Sequence, residues 1–254
     1  MQIDNLIADG YDLLNSNVEW PTYDGGDLDR SRYVTSSEVW NCALRIYLDK
    51  KHPMRGFPDW GYAERGNIIE EWAMQCAEAA VKEYTGYDLL HTRDKQVSFH
   101  HGRQSGTPDG ILRLPDYSAE LWEVKSLDPR YNWSNLPKEP HIWQLTQNMD
   151  LVSHCMDITV QKGRLIYIDA SNLQKRKEYV IAPHEGLMQR MEAKAHFIMD
   201  PANSEEDMPT DGIFRGECRL CRHKARCNAA IHADKVETDM LERATNVANS
   251  YFKR

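Results

Sequence analysis

The sequence predicts a mixed α/β protein: a mixed central sheet flanked by helices, with a small helical, cysteine-ligated metal module formed by the N- and C-terminal segments. Three observations predict it. Short strand-like runs alternate with longer segments of helical periodicity, one tight hairpin lies near the middle, and three cysteines lie close together towards the end. The expected division is an arm and helix at 1–60, a core at 61–200 and a closing module at 201–254.

The composition is that of a globular chain of 254 residues, long enough for one large core or for one core and an appendage. We find no apolar run long enough for a membrane span and no signal peptide at the start, so we expect a cytoplasmic protein. The net charge of −8 argues mildly against a nucleic-acid partner, because phosphate binding depends on Lys and Arg. Basic stretches at 175–177 and 215–226 keep such a partner compatible with the sequence.

The first helix is expected after residue 35, where Thr35, Ser36 and Ser37 offer hydroxyl groups as N-caps. Residues 1–33 before it are polar and turn-rich, which is typical of an extended arm. The apolar stripe of this helix carries Cys42 on its inward side. A lone cysteine at such a position is usually a small buried hydrophobe.

A second helix is predicted at 62–84, with Glu70 and Glu71 at the margins of its apolar face. One of the two carboxylates could lean over the ends of the strands and act as a metal ligand. Spacing alone supports a solvated helix rim equally well.

A hairpin within 105–126 carries the chemistry around which the chain is organised. Strands are predicted at 111–114 and 121–125, joined by a Pro-Asp turn. Asp109 stands at the mouth of the first strand, between a proline and a glycine, where backbone and cofactor can approach closely.

The second strand of this hairpin carries Glu123 and Lys125. Because they are two residues apart, they project from the same face, while Val124 points the other way into the core. Together with Asp109, they suit a Mg²⁺ or Mn²⁺ site in which the lysine orients or helps to deprotonate a bound water. For the Glu-x-Lys spacing alone, an ordinary solvated ion pair is the better interpretation.

The linker at 128–140 is polar but contains two aromatic residues. Tyr131 and Trp133 could stack on the bases of a single strand, or they could cover the edge of the core. The helix that opens at Pro140 carries Gln144 beside its apolar stripe rather than on it.

The remaining elements are three strands and two helices. Strands are expected at 96–100, 164–169 and 178–182, the last two separated by a basic turn at 174–177. Helices are expected at 184–199 and 231–251, where the apolar residues recur with helical spacing.

Six cysteines in a chain without a secretion signal argue for a metal site and against a disulfide framework. Three of them lie within ten residues of one another: Cys218, Cys221 and Cys227. Three ligands are too few for structural zinc or an iron-sulfur cluster. Cys42 is the natural fourth ligand, because Cys76 and Cys155 fall within helical faces of the core. Ligand spacing alone does not choose between the two metals.

Pro108-Asp109 and Glu123-Val124-Lys125, one on each side of the hairpin turn, resemble the motif of the PD-(D/E)xK nuclease superfamily. The resemblance implies a restriction-endonuclease-like core that hydrolyses phosphodiester bonds with Mg²⁺ or Mn²⁺. It also implies that Asp109, Glu123 and the carbonyl of Val124 bind the ion. Lys125 would then position or activate the attacking water.

Two further positions resemble the RecB-like branch of this superfamily. Its helix carries a glycine followed four residues later by His or Glu, so Gly66 selects Glu70 as a metal ligand, although His is usual there. A Gln that follows the (D/E)-x-K strand matches Gln144, which would hold water or substrate. Asn148 replaces the tyrosine that usually comes four residues after that Gln.

Cys42 ahead of the core and a C-x2-C-x5-C group behind it resemble the iron-sulfur branch of RecB-like nucleases, which includes CRISPR-associated Cas-four proteins and AddB-type subunits. The resemblance implies that Cys42, Cys218, Cys221 and Cys227 bind a [4Fe-4S] cluster. The expected function is therefore a DNA exonuclease acting on single-stranded DNA or duplex ends, alone or within a DNA-processing complex. Two alternatives stay open: a non-catalytic nucleic-acid-binding or adaptor protein on a nuclease fold, and a zinc-stapled regulatory protein.

Overall fold

The computed structural model describes residues 29–52, 60–85, 87, 89–90, 95–114, 116–210, 217–224 and 227. Most of the predicted arm, the helix predicted at 231–251, and the basic residues Arg215 and Arg226 lie outside these ranges. The described α-helices are α1 (Ala43–Lys51), α2 (Trp60–Thr85), α3 (Glu139–Met156), α4 (Glu185–Met199) and α5 (Glu217–Leu220). The described strands are β1 (Val34–Thr35), β2 (Leu89–Leu90), β3 (Phe99–His101), β4 (Gln104–Gly106), β5 (Gly110–Arg113), β6 (Ala119–Leu127), β7 (Val160–Asp169) and β8 (Asn172–Ile181).

The larger sheet is mixed, as predicted, with five strands in the order β2-β5-β6-β7-β8. Strands β6 and β7 run parallel, and the other neighbours are antiparallel. Because parallel neighbours need a crossover, the chain passes through α3 between them. The predicted hairpin is formed by β5 and β6, with Gly110 opposite Trp122. A smaller sheet has the order β1-β4-β3.

Helices α2 and α3 cover opposite faces of the larger sheet, because the side chains of β6 alternate between two cores. Val124 packs with Met74 of α2, whereas Leu121 packs with Leu145 of α3. Helix α4 contacts both α1 and α3, and the three helices contribute to a third apolar cluster that includes Trp143. Among the helices in the described ranges, none combines the length and the apolar character that a membrane span needs.

The first helix begins later than its sequence predicts. Val34 and Thr35 pair with β4, and residues 36–41 form turns, so α1 starts at Ala43 with Cys42 as its N-cap residue. The hydroxyl-rich stretch therefore ends a strand instead of capping a helix. Glu38 stabilises this arrangement, since its carboxylate accepts the Thr35 backbone N–H at 3.0 Å.

The turn between β7 and β8 also differs from the prediction. It lies at 170–171, where the Asp169 carboxylate accepts the Ser171 backbone N–H at 2.9 Å, as in an Asx-turn. The basic run at 174–177 was predicted to be this turn, and it instead lies inside β8. Lys175 returns to Asp169 in a 2.9 Å ion pair, which ties the beginning of β8 to the turn.

Candidate functional site

The β5-β6 hairpin brings Asp109, Glu123 and Lys125 together. Asp109 directly precedes β5, and its carboxylate accepts the backbone N–H of Val124 at 2.7 Å. Glu123 is fully buried, and its Oε1 atom lies 2.5 Å from Lys125 Nζ. The Lys125 side chain is 23% exposed, so the group is reached from one side. The strand alternation predicted from the sequence thus places two carboxylates beside one ammonium.

Helix α2 contributes Glu70 to the same group. Its carboxylate lies beside Asp109 and accepts a hydrogen bond from Gln96 Nε2 at 3.3 Å. Burial raises the pKa of Glu70, the Lys125 charge opposes this rise, and the nearby Glu123 carboxylate adds to it. Glu71, the neighbouring candidate, is exposed. Of the two acids at the margins of the helix, the structure therefore brings Glu70 to the hairpin.

The electrostatics of the group favour a cation. Burial raises the pKa of Asp109 to about 7, with a further contribution from Glu70 and opposition from Lys125. Burial likewise raises the pKa of Glu123 to about 7, reinforced by Asp109. Burial alone would lower the pKa of Lys125, but Glu123 and Asp109 outweigh it and raise this pKa above its usual value. Two buried carboxyl groups and one half-buried carboxyl group thus face a single permanent positive charge.

The donor atoms match a hard divalent ion in kind, since carboxylate oxygens are the ligands that Mg²⁺ and Mn²⁺ prefer. Within the described ranges, however, no three His, Cys, Asp or Glu side chains are arranged to hold a metal ion. The hydrogen bonds give the physical reason: Asp109 is turned to the Val124 N–H, and Glu123 is shared between Lys125 and Asn148. Protein donors thus occupy carboxylate oxygens that a cation would take.

Asn148 is a site residue whose contact the sequence did not reveal. It is fully buried on α3, and its Nδ2 atom donates to Glu123 Oε2 at 3.2 Å. Its Oδ1 atom has no hydrogen-bond partner among the described residues. Gln144 lies one turn earlier on the same helix face and is half-buried. Its side chain makes no hydrogen bond within the described part of the chain. The sequence offered one indication of a role for Asn148, which is its position four residues after Gln144.

A glycine makes room for Asn148. A methyl group at Gly106 would overlap Asn148 Oδ1 and approach Ser36 Oγ to 2.9 Å. Gly106→Ala should therefore destabilise the protein by about 1–3 kcal/mol, because a tightly packed site resists added volume. The measurement is urea unfolding. The control is Gly186→Ala in the first turn of α4, where the nearest atom would be 3.5 Å away; it should be neutral or stabilising by up to about 1 kcal/mol. Equal effects of the two substitutions would contradict the expectation.

His141 and Tyr167 form a second pair, next to Lys125, that the sequence did not reveal. Tyr167 is fully buried on β7 directly opposite Lys125, and its hydroxyl lies 3.0 Å from His141 Nδ1. The two rings stack with centroids 5.6 Å apart. Burial, and then the positive charges of Lys125 and Lys138, hold the pKa of His141 well below its usual value. His141 is therefore neutral at physiological pH.

The neutral state of His141 predicts a loss of stability in acid. The unfolded chain takes up a proton near pH 6.5 and the folded chain does not, so this residue removes up to about 1.4 kcal/mol of unfolding free energy per pH unit below 6.5. His141→Asn should flatten the pH dependence between pH 6.5 and 5. The carboxyls with raised pKa act in the opposite direction, but they are common to both proteins and cancel in the difference. Parallel curves of unfolding free energy against pH would contradict the assignment.

Four cysteines from the two ends of the described chain line one cavity: Cys42, Cys218, Cys221 and Cys227. Glu217 closes one side of it, because its Oε1 atom accepts the Cys42 backbone N–H at 2.7 Å. Burial raises the pKa of the Cys42 thiol to about 11, so this group stays protonated unless a cation replaces its proton. Cys76 is exposed on α2, and Cys155 lies on α3 with its Sγ atom 3.3 Å from the His100 carbonyl oxygen. Neither lines the cavity, and within the described part of the chain the four thiols that do line it are not arranged to hold a metal ion.

No protein-family model matches the chain, and no curated protein matches its sequence. Solved structures with a similar backbone include a protein described only as SSO0001, at 17% identity and a TM-score of 0.49 over 91% of this chain and 98% of that chain. The alkaline exonuclease LHK-Exo of Laribacter hongkongensis matches at 15% identity and a TM-score of 0.46, over 67% of this chain and 87% of its own. A phage-related exonuclease of Haemophilus somnus 129PT matches at 12% identity and a TM-score of 0.45, over 62% of this chain and 77% of its own. These similarities concern the fold of the chain.

Proposed function

We propose that this protein is a metal-dependent DNA nuclease that acts as an exonuclease on single-stranded DNA or on duplex ends. The observation that carries the proposal is the meeting of Asp109, Glu123 and Lys125 on the hairpin, with Glu70 beside them. The raised pKa values of the carboxyl groups show that the folded protein holds their charged forms at a cost. Such an arrangement is typical of a functional site.

The residues that would hold the ion are Asp109, Glu123 and Glu70, together with the carbonyl of Val124. When bound, Mg²⁺ or Mn²⁺ supplies the positive charge that polarises a phosphodiester and lowers the pKa of a water molecule. A bound cation would also offset the repulsion between these carboxylates, and the group is therefore well suited to hold one.

Lys125 would orient the attacking water and offset negative charge on the phosphate. Because its pKa is raised, it stays an ammonium and acts as a donor and a charge, not as a base. Asn148 holds Glu123 in place through its amide. Gln144, one turn earlier, would present a second amide to a phosphate oxygen or to the water.

We also infer that Cys42, Cys218, Cys221 and Cys227 bind a [4Fe-4S] cluster, and zinc would accept the same four thiolates. The supporting observation is that all four thiols line one cavity. Residues 61–200 would then carry the nuclease chemistry. The segments 1–60 and 201–254 would be stapled together by the cluster, because four metal-thiolate bonds outweigh the entropy of closing so long a loop.

A non-catalytic nucleic-acid-binding or adaptor protein is the second candidate. It is favoured by the hydrogen bonds that occupy Asp109 and Glu123, and by the absence of a ready set of three metal ligands within the described ranges. A zinc-stapled regulatory protein without a nucleic-acid role would fit the cysteine cavity alone.

One experiment separates the three functions. End-labelled single-stranded and duplex oligonucleotides are incubated with the protein in Mg²⁺, Mn²⁺ or EDTA, and both binding and shortening of the strand are measured. Shortening that requires the ion supports the nuclease. Binding without shortening under either ion favours the adaptor. A protein that contains stoichiometric zinc and neither binds nor cleaves points to the regulatory protein.

A further inference from the structure

Strand β8 carries a row of cationic and aromatic side chains on the same sheet face as the candidate catalytic residues. Tyr167 of β7 lies opposite both Lys125 of β6 and Lys177 of β8, so the three share a face. Lys175 lies two residues before Lys177 and Tyr179 two residues after it, so all three side chains of β8 lie on this face. Two strand spacings, on the order of 10 Å, separate this row from β6.

The linker between β6 and α3 places aromatic rings next to this row. Lys175 Nζ lies 4.6 Å from the centroid of the Trp133 ring, which joins the linker to β8. Within the linker, Lys138 Nζ lies 4.1 Å from the Tyr131 ring centroid. On β8 itself, Lys177 Nζ lies 5.0 Å from the Tyr179 ring centroid. Each lysine therefore stands over an aromatic ring.

Tyr167 connects this surface to the candidate catalytic group. Its ring meets the Tyr179 ring edge-on, with centroids 6.0 Å apart, and its hydroxyl accepts the Lys138 backbone N–H at 3.0 Å. Because Tyr167 is fully buried and stands beside Lys125, it fixes the row and the linker relative to the lysine. The surface and the site thus form one continuous structure.

We propose that this surface, the strand platform, binds a single strand of nucleic acid that enters or leaves the candidate active site. Its residues are Tyr131, Trp133, Lys138, Lys175, Lys177 and Tyr179. The proposal rests on the nuclease function and gives it a substrate path.

Charge and ring chemistry select this occupant. The chain carries a net charge of −8, so Lys138 and Lys177 beside the site are a local reversal of sign that suits phosphates, whereas Lys175 is already paired with Asp169. Aromatic rings among them suit unpaired bases, which present a ring face for stacking, whereas the bases of a duplex are already stacked on one another. Lys175 and Lys177 are exposed, whereas Tyr131 and Trp133 are half-buried and pack against the core, so part of each ring is open to solvent.

The test is binding of a labelled oligothymidine to the full chain in EDTA, followed by fluorescence anisotropy, so that binding is measured without cleavage. Lys177→Glu and Tyr131→Ala should each weaken binding by about five- to thirtyfold. Lys177→Glu should also lower the slope of log affinity against log salt by about 1 or more, since it removes a phosphate contact.

Matched controls exist elsewhere on the chain. Lys51 of α1 is exposed and lies 5.4 Å from the Tyr47 ring centroid, so Lys51→Glu makes the same charge change at a similar cation-ring pair. Tyr84 of α2 is 48% exposed, and Tyr84→Ala controls for loss of a surface ring. Both controls should bind the oligonucleotide like the original protein.

Binding and cleavage fail separately. If the original protein binds oligothymidine and the two platform variants bind it as tightly, the strand platform is wrong, and the cleavage assay decides the nuclease assignment separately. A different outcome is that the platform variants lose binding while the original protein fails to cleave DNA in the presence of either Mg²⁺ or Mn²⁺. In that case the strand platform is supported and the nuclease assignment fails. If the original protein does not bind at all, the platform is overturned.

Discussion

Lys125→Ala should abolish metal-dependent cleavage of DNA, with a loss of at least about a thousandfold in rate. The substitution removes the only cation that faces the three carboxyl groups of the candidate site among the described residues. It also leaves Glu123 buried with Asn148 as its remaining hydrogen-bond donor. The phosphate and the attacking water then lose their fixed positive partner. The measurement is single-turnover cleavage of a labelled oligonucleotide in Mn²⁺, with urea unfolding of the same samples.

The chain supplies a closely matched control. Lys162 of β7 is also paired with a fully buried glutamate of β6, Glu120, at 3.1 Å, and its side chain is 27% exposed against 23% for Lys125. Glu120 keeps a second partner in Arg164. Each alanine variant should therefore lose about 1–3 kcal/mol of unfolding free energy, and only Lys125→Ala should lose cleavage. Cleavage that survives Lys125→Ala, or that fails equally in Lys162→Ala, would remove Lys125 from the mechanism.

The hairpin could be predicted from the sequence because the information for it is local. A Pro-Asp turn joins two short apolar runs, and strand alternation alone puts Glu123 and Lys125 on one face. Asn148 and His141 could not be assigned in this way. A polar residue on the inward face of a helix acquires a role only when its partner on another element is known, and periodicity carries no such partner.

The basic run at 174–177 shows a second limit. Its composition indicated a turn, but the chain reverses at 170–171 because the Asp169 carboxylate binds the Ser171 N–H there. Once the run lies inside β8, its alternation puts Lys175 and Lys177 on the face of the candidate site. A shift of a few residues in the turn thus converts a connecting loop into a surface with chemical consequences.

If Cys42 is a ligand of the proposed metal, Cys42→Ser should remove that metal and destabilise the protein by roughly 3 kcal/mol or more. The cavity lies between α1 and residues 217–227, so loss of one of the four proposed ligands would release the metal-mediated connection between these segments. The measurements are the iron, sulfide and zinc content of anaerobically purified protein, its visible absorbance, and guanidinium unfolding. Iron and sulfide with a brown colour identify the cluster, and colourless protein with stoichiometric zinc identifies the alternative.

The size of the stability change makes this substitution decisive, because Cys42 is also the N-cap residue of α1 and its thiol makes no capping hydrogen bond. Serine is among the best N-cap residues, but position 42 is buried, so in a chain without a metal the gain at the cap and the cost of burying a hydroxyl should offset each other to within about 1 kcal/mol. Only ligation predicts a large loss. Cys155→Ser and Cys76→Ser provide the controls, since both thiols lie away from the cavity and both variants should keep the metal. Stabilisation by Cys42→Ser, or metal loss in all three variants, would show that these four thiols do not form the site.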